Sequence, residues 1–291
     1  MSVKKEDKES KASRLMVVVS TDIHNYTYRD SRSLKPFCVD SRNHPDPKFQ
    51  MTVAFQEIDR VSLNNKKSIS YFVPNNIALL LSNSKKALQR AESIYMDSIK
   101  NHSENNEPKC DELWQNCTLV SDYIELIQTA IVFGYTALES FANISIPEDY
   151  TYKPKPRKEG IQEHYGKEGI ERWLSLSDKF KLLLPDIYNC KKLPNNLWSQ
   201  FKNLEKTRHS IVHQKSIERT RFMFEYFNPK IFETLKTPEK IIRYFQSNNK
   251  ISTSEQYKSH LLWPWVEGDA KFPVTTDVSA ILDWYVVKSQ D

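Results

Sequence analysis

Glycine is scarce in this chain, with only 5 among 291 residues. A chain so poor in residues that tolerate left-handed backbone cannot carry the many tight turns of an all-β sandwich, and long helices are favoured instead. Cysteine is sparse as well. Cys38, Cys110, Cys117 and Cys190 form no C-x-x-C pair, which argues against a zinc ribbon and against a dithiol redox motif. Cysteines scattered in this way fit a reducing compartment. The first residues, MSVKKEDKESKASR, hold no apolar stretch of the signal-peptide kind. No window is expected to approach the roughly 20 apolar residues that a membrane helix needs. The expectation is a cytoplasmic protein without a membrane partner. A strong charge bias is also missing: 42 basic and 37 acidic side chains leave a net charge of +5. That balance is compatible with a phosphate-rich partner but does not demand one, since dedicated nucleic-acid binders carry a stronger bias.

Hydrophobic residues make up 39% of the chain and aromatics 12%, enough for a packed core. Residues 1–14 read as a mixed-charge, disordered tail. Residues 15–73 read as a small β or mixed appendage. Leu15 to Val19 is a β-prone run, and Met51 to Ile58 partly alternates apolar and polar positions. Val61 to Leu63 and Ile69 to Val73 flank a predicted hairpin turn at Asn64-Asn65-Lys66-Lys67. The stretch 20–50, rich in Asp, Asn, Ser, Arg and Pro, reads as loop.

From Pro74 onward the pattern turns helical, and residues 74–291 are expected to form one helical domain with a helical C-terminal extension. Leu80, Ala87, Ala91, Ile94, Tyr95 and Ile99 recur at helical spacing within 76–102. A second helix is predicted over 110–143. It is apolar on more than one side towards its end, which suits a core position or a subunit interface. The segment 147–170 reads as a polar, basic connection. Further helices are predicted near 175–184 with Pro185 as the stop, from Asn196 to about 212–225, and at 229–235, 238–247 and 276–288. The fold class expected is mainly α, an up-and-down bundle with a β appendage.

The helix that opens near Asn196 reads NLWSQFKNLEKTRHSIVHQK. Leu197, Phe201, Leu204 and Ile211 mark its core face. Arg208 falls on that same stripe, where a leucine would be expected. A guanidinium on a core-facing stripe is costly unless it is paired or opens into a cleft, so this breach of pattern is informative. His213 lies roughly 140° round the helix from Arg208; the length of the arginine lets both border one cleft. His209, four residues before His213, is its neighbour on the surface.

Arg208 followed by a polar residue and then, after four intervening positions in all, by His213 resembles the signature of the HEPN superfamily. These are helical-bundle domains, many of them ribonucleases of toxin–antitoxin, CRISPR-linked and phage-defence systems. TALESFANISIP (136–147) is similar to the earlier helix that packs against the motif helix, with Glu139 and Asn143 as its polar positions. ERWLSLSDKFKLLLPDIY (171–188) is similar to the segment leading into it. The resemblance covers about 110–225. It implies a homodimer whose two motif helices build one composite cleft, and a metal-independent endoribonuclease with no cofactor. In that reading Arg208 and His213 are catalytic, and His209, Glu139 and Asn143 support them. An antitoxin or defence protein is the implied partner beside the RNA substrate. A neutral imidazole can deprotonate the ribose 2′-OH or assist the leaving 5′-oxygen, and a fixed guanidinium can stabilise charge on the phosphate.

Other readings of the same residues stand beside this one. Arg208 could form a buried salt bridge to Glu205, Glu139 or another core carboxylate. His213 could be a C-terminal histidine favoured by the helix dipole. Both could be kept for dimer packing in a non-catalytic HEPN binding module. His209 and His213 have the i, i+4 spacing of helical zinc sites, although no third ligand is apparent nearby. Glu139 and Asn143 could be a hydrogen-bonded pair that fixes helix packing. Lys153, Lys155, Arg157 and Lys158 could guide an RNA backbone or simply form a solvated loop. Trp263-Pro264-Trp265 reads as packing or partner contact rather than base stacking.

Overall fold

Alternation and turn chemistry build a small sheet first. The computed structural model describes residues 15–23, 26–64, 67–103, 108–154, 164–213, 220–248, 262–265 and 274–275. Strand β1 is Leu15–Ser20, β2 Phe37–Asp40, β3 Thr52–Asn64 and β4 Lys67–Phe72. β3 pairs antiparallel with β1, β2 and β4. The β3–β4 ladder closes at the Asn64–Lys67 pair, as the hairpin signal predicts. The two apolar runs expected at 51–58 and 61–63 are one continuous strand. The segment read as loop contains β2 and a 3₁₀ turn at Pro47–Phe49. β2 is only 4 residues long, too short to show a period among its Asp, Arg and Pro neighbours. Its ladder with β3 defines it as a strand, and Cys38 and Val39 are both fully buried. The polar Gln56 is buried in this sheet because its amide is satisfied. Its Nε2 donates to Ser33 Oγ at 3.1 Å and to Leu34 O at 3.2 Å, and its Oε1 accepts from Tyr26 OH at 3.1 Å.

The chain divides into two compact units, 1–74 with 269–291, and 75–268. The change near residue 74 agrees with the composition shift, but the far end does not agree with a helical domain running to 291. Strand β5, Val274–Thr275, pairs parallel with β2 through Cys38–Val274 and Val39–Thr275. An extended pair with two β-branched side chains suits that sheet position. The tail 1–14 and the helix expected at 276–288 lie outside the described residues.

The second unit is mainly α. Helix α1, Asn76–Ile94, starts where Asn75 caps it by accepting from the Ala78 N–H at 3.0 Å. It continues as a π turn, Tyr95–Ile99. Helix α2, Cys110–Ile144, opens with Glu112 accepting from the Lys109 N–H at 3.1 Å. The two helices run antiparallel: Ser84 Oγ donates to Ala130 O at 2.8 Å, while the Tyr95 ring lies 6.2 Å from that of Tyr123. Close approach is allowed at Gly134, where a Cβ would stand 2.9 Å from Pro238 Cγ and 3.0 Å from Ser84 Oγ. By length and composition alone α2 is apolar enough to cross a membrane, contrary to the expectation that no window comes near. Its apolarity has a use within the unit, since Tyr123, Ile127, Ile131, Leu138 and Phe141 are fully buried at the centre of the core.

Short elements then wrap α2. Helix α3, Lys167–Trp173, begins within the stretch expected to be a connection; one buried residue, Ile170, anchors it, too little apolar periodicity to read. Helix α4, Leu176–Asp178, a π turn at Lys179–Leu183, and α5, Leu184–Ile187, form the next run. Pro185 does not stop it. The proline sits in the first turn of α5, where a missing N–H costs little. The helix ends at Ile187, and just beyond its cap residue Tyr188 the φ of 45° at Asn189 is left-handed. Helix α6 is Asn195–Val212, α7 Lys230–Leu235 and α8 Thr237–Asn248, close to their predicted spans. Aromatic rings tie these helices to α2. Phe141 meets Phe245 at 6.1 Å and Trp263 at 5.1 Å, and Phe180 meets Phe201 at 5.4 Å. Trp263 is fully buried and donates Nε1–H to Ser145 Oγ at 3.1 Å, which agrees with packing.

Candidate functional site

The core stripe of α6 places the candidate arginine. Phe201 and Leu204 are fully buried, and Leu197 and Ile211 pack on the core from its edge. Arg208 is half-buried on the same side. Its guanidinium carbon lies 5.2 Å from the centroid of the Tyr135 ring on α2, a cation–π contact. Burial raises the Tyr135 pKa, the carboxylates of Glu205 and Glu139 push it the same way, and Arg208 opposes them. The salt bridges entertained for Arg208 are absent: among the described residues it makes no ion pair with Glu205 or Glu139.

Glu205 is held by other groups. It pairs with Lys202, accepts from Ser177 Oγ at 3.0 and 3.1 Å, and accepts from Tyr135 OH at 3.4 Å. Lys202 Nζ also donates to Ser177 Oγ at 3.0 Å. A network from α2, α4 and α6 therefore fixes the ring on which the guanidinium rests, and among the described residues no carboxylate pairs with the arginine.

Glu139 and Asn143 continue the Tyr135 face of α2 at four-residue steps. They are not a hydrogen-bonded pair. Asn143 Oδ1 accepts instead from Lys179 Nζ at 2.8 Å, and the same ammonium donates to Glu171 O at 3.1 Å. Lys179 is only 4% exposed. Burial holds its pKa below the ordinary lysine range, while Glu171 and Glu139 pull it back up. This buried amine lies in the π turn, a distortion that is frequent at functional sites.

His213 lies where α6 ends. Its N–H donates to His209 O at 2.9 Å, and its own φ of −119° and ψ of 52° leave the helical region. Both histidines are exposed, with ring centroids 4.6 Å apart. The structure thus brings Arg208, Glu139 and Asn143 to one helix-packing seam and places His209 and His213 on the surface at the end of α6. Among the described residues no three His, Cys, Asp or Glu side chains are grouped to hold a metal ion. Lys153 is exposed, next to the Tyr152–Tyr165 bridge with N–H to carbonyl distances of 2.9 Å. Lys155, Arg157 and Lys158 lie outside the described residues.

Sequence reasoning did not single out Tyr135, Ser177, Lys179 or Lys202. Tyr135 could have been found from its shared face with Glu139 and Asn143. Lys179 carries no such signal, because Lys181 beside it looks the same in sequence and is exposed. No family model, curated protein or solved structure matches the chain.

Proposed function

We propose that the helical unit is a HEPN-type domain and that it acts, as a homodimer, as a metal-independent endoribonuclease through Arg208 and His213. The observation that carries this reading is the state of Arg208. A half-buried guanidinium supported on an aromatic face, with the carboxylate three residues before it engaged by Lys202, Ser177 and Tyr135, keeps its charge and donors for an anionic ligand. A phosphodiester is such a ligand, and bidentate donation suits its oxygens. The exposed imidazole of His213 supplies proton transfer from the end of the same helix. In the step proposed, the imidazole takes the 2′-OH proton, the 2′-oxygen bonds to phosphorus, and the bond to the 5′-oxygen breaks as that oxygen takes a proton from water, which the imidazolium then restores. Arg208 stabilises the charge on the phosphoryl oxygens. A toxin or phage-defence effector is the biological class that fits this chemistry, with an antitoxin or defence protein as partner.

The test is cleavage of a defined RNA in EDTA. The wild type should leave a 2′,3′-cyclic phosphate and a 5′-OH, and a 2′-deoxy substitution at the scissile nucleotide should block the cut. Arg208→Ala and His213→Ala should each lower the rate by about 100-fold or more, with circular dichroism unchanged. A Mg²⁺-dependent cut leaving a 3′-OH and a 5′-phosphate would refute the mechanism, and a strict monomer in light scattering would remove the composite cleft. A second reading, a non-catalytic HEPN dimerisation module, draws on the Tyr135 contact, since an arginine used for packing would also rest on a ring. It predicts a dimer that binds RNA or protein and cuts nothing.

A further inference from the structure

The two histidines at the end of α6 are not fully used by a mechanism that needs only one imidazole. They project from positions one helical turn apart, and the bond from His213 N–H to His209 O keeps that turn intact. Their ring centroids are 4.6 Å apart and the rings are tilted by 44°. Two imidazoles bound to one tetrahedral ion at Zn–N of about 2.0–2.1 Å hold their centroids roughly 5 Å apart, close to the spacing of this pair. Both rings are exposed; water or an RNA phosphate can complete the coordination shell. Imidazole nitrogen suits Zn²⁺, Ni²⁺ and Cu²⁺ rather than Mg²⁺ or Ca²⁺.

We propose that His209 and His213 form a two-imidazole site for a first-row transition-metal ion such as Zn²⁺, and that the bound ion shuts off the proton-transfer role of His213. The site itself stands on the geometry of the pair. Its regulatory role rests on the nuclease reading given above. A metal bond takes up an imidazole lone pair that would otherwise accept the 2′-OH proton, so occupancy and catalysis exclude each other. The ion acts here as an inhibitor, which is consistent with cleavage that needs no metal.

The experiment uses the full chain freed of metal with EDTA and then dialysed, titrated with ZnCl2 against a chromophoric chelator. One Zn²⁺ per chain should bind. His209→Ala and His213→Ala should each weaken that binding by at least about tenfold, while His102→Ala, at an exposed histidine outside the pair, should not. His209→Gln guards against a folding artefact of the alanine variant and should lose the metal equally. In the RNA assay, Zn²⁺ should slow the wild type over the same concentration range, and excess EDTA should restore the rate. No Zn²⁺ binding, or binding unchanged in the variants, overturns the metal site whatever the RNA assay gives. Zn²⁺ binding without any effect on cleavage overturns the regulatory role alone. A protein that binds Zn²⁺ and cleaves nothing keeps the site and overturns both the regulatory role and the nuclease reading.

Discussion

In the helical unit Phe141, Phe180, Phe201 and Phe245 are fully buried and linked ring to ring. In the sheet unit Val18 is 56%, Leu63 59% and Ile69 51% exposed. One unit has a contiguous core built on α2 from Tyr123 to Phe141. The other has a small cluster of Ile23, Cys38 and Ala54, with Val19 against it, and a ribbon whose Val61–Ile69 cross-strand pair faces water. The contrast teaches where stability and chemistry sit. Packing density fixes side chains to fractions of an ångström, and the polar network around Tyr135 borrows that rigidity. A two-stranded ribbon has little of it.

The largest effect is expected from opening the helical core. Phe141→Ala should destabilise the protein by about 3–5 kcal/mol, measured by chemical denaturation followed by circular dichroism. A loss below about 1 kcal/mol would mean that the aromatic cluster is not the main source of stability. Gly134→Ala tests the tightest helix contact. The new Cβ would meet Pro238 and Ser84 near 3 Å, an overpacking cost of about 1–3 kcal/mol that exceeds the roughly 1 kcal/mol gained in helix propensity. A net loss of about 1 kcal/mol is expected, and a net gain would show that the α2–α8 contact yields easily.

Thiol chemistry sharpens the same contrast. Burial pushes the Cys38 thiol up to about 12, whereas Cys110 and Cys117 are exposed on α2. A disulfide reagent should label the two α2 cysteines rapidly and Cys38 only through opening of the sheet unit. The opening free energy read from Cys38 labelling should be smaller than that of global unfolding of the helical unit; equal values would refute two units of unequal stability. The smallest effect is expected at Ile69→Thr, in the exposed ribbon. Its stability change should stay within about 0.5 kcal/mol, and a larger loss would show that the ribbon is covered in solution.

Much of the helical unit was legible from periodicity. The spans of α1, α2, α7 and α8, the core stripe of α6 and the anomalous place of Arg208 on it all follow from local spacing. Elements with too few repeats to show a period were not legible, as β2 and α3 show. The stop assigned to Pro185 failed because a proline at the start of a helix turn resembles a breaker in sequence, while the actual stop is a left-handed asparagine at residue 189.

The sequence alone determined which residues carry unusual chemistry for their position: a guanidinium on an apolar stripe, and two imidazoles one turn apart on the same helix. Those are properties of a single helix, and a 3.6-residue period is sufficient to read them. Packing between distant segments settles what Arg208 rests on, that Glu205 also accepts from Ser177 and Tyr135, that Lys179 rather than its neighbour is buried against Asn143, and that Val274–Thr275 joins the sheet beside β2. Each of these depends on residues far apart in the chain. Their contacts are set by how helices and strands pack, and no local period encodes that.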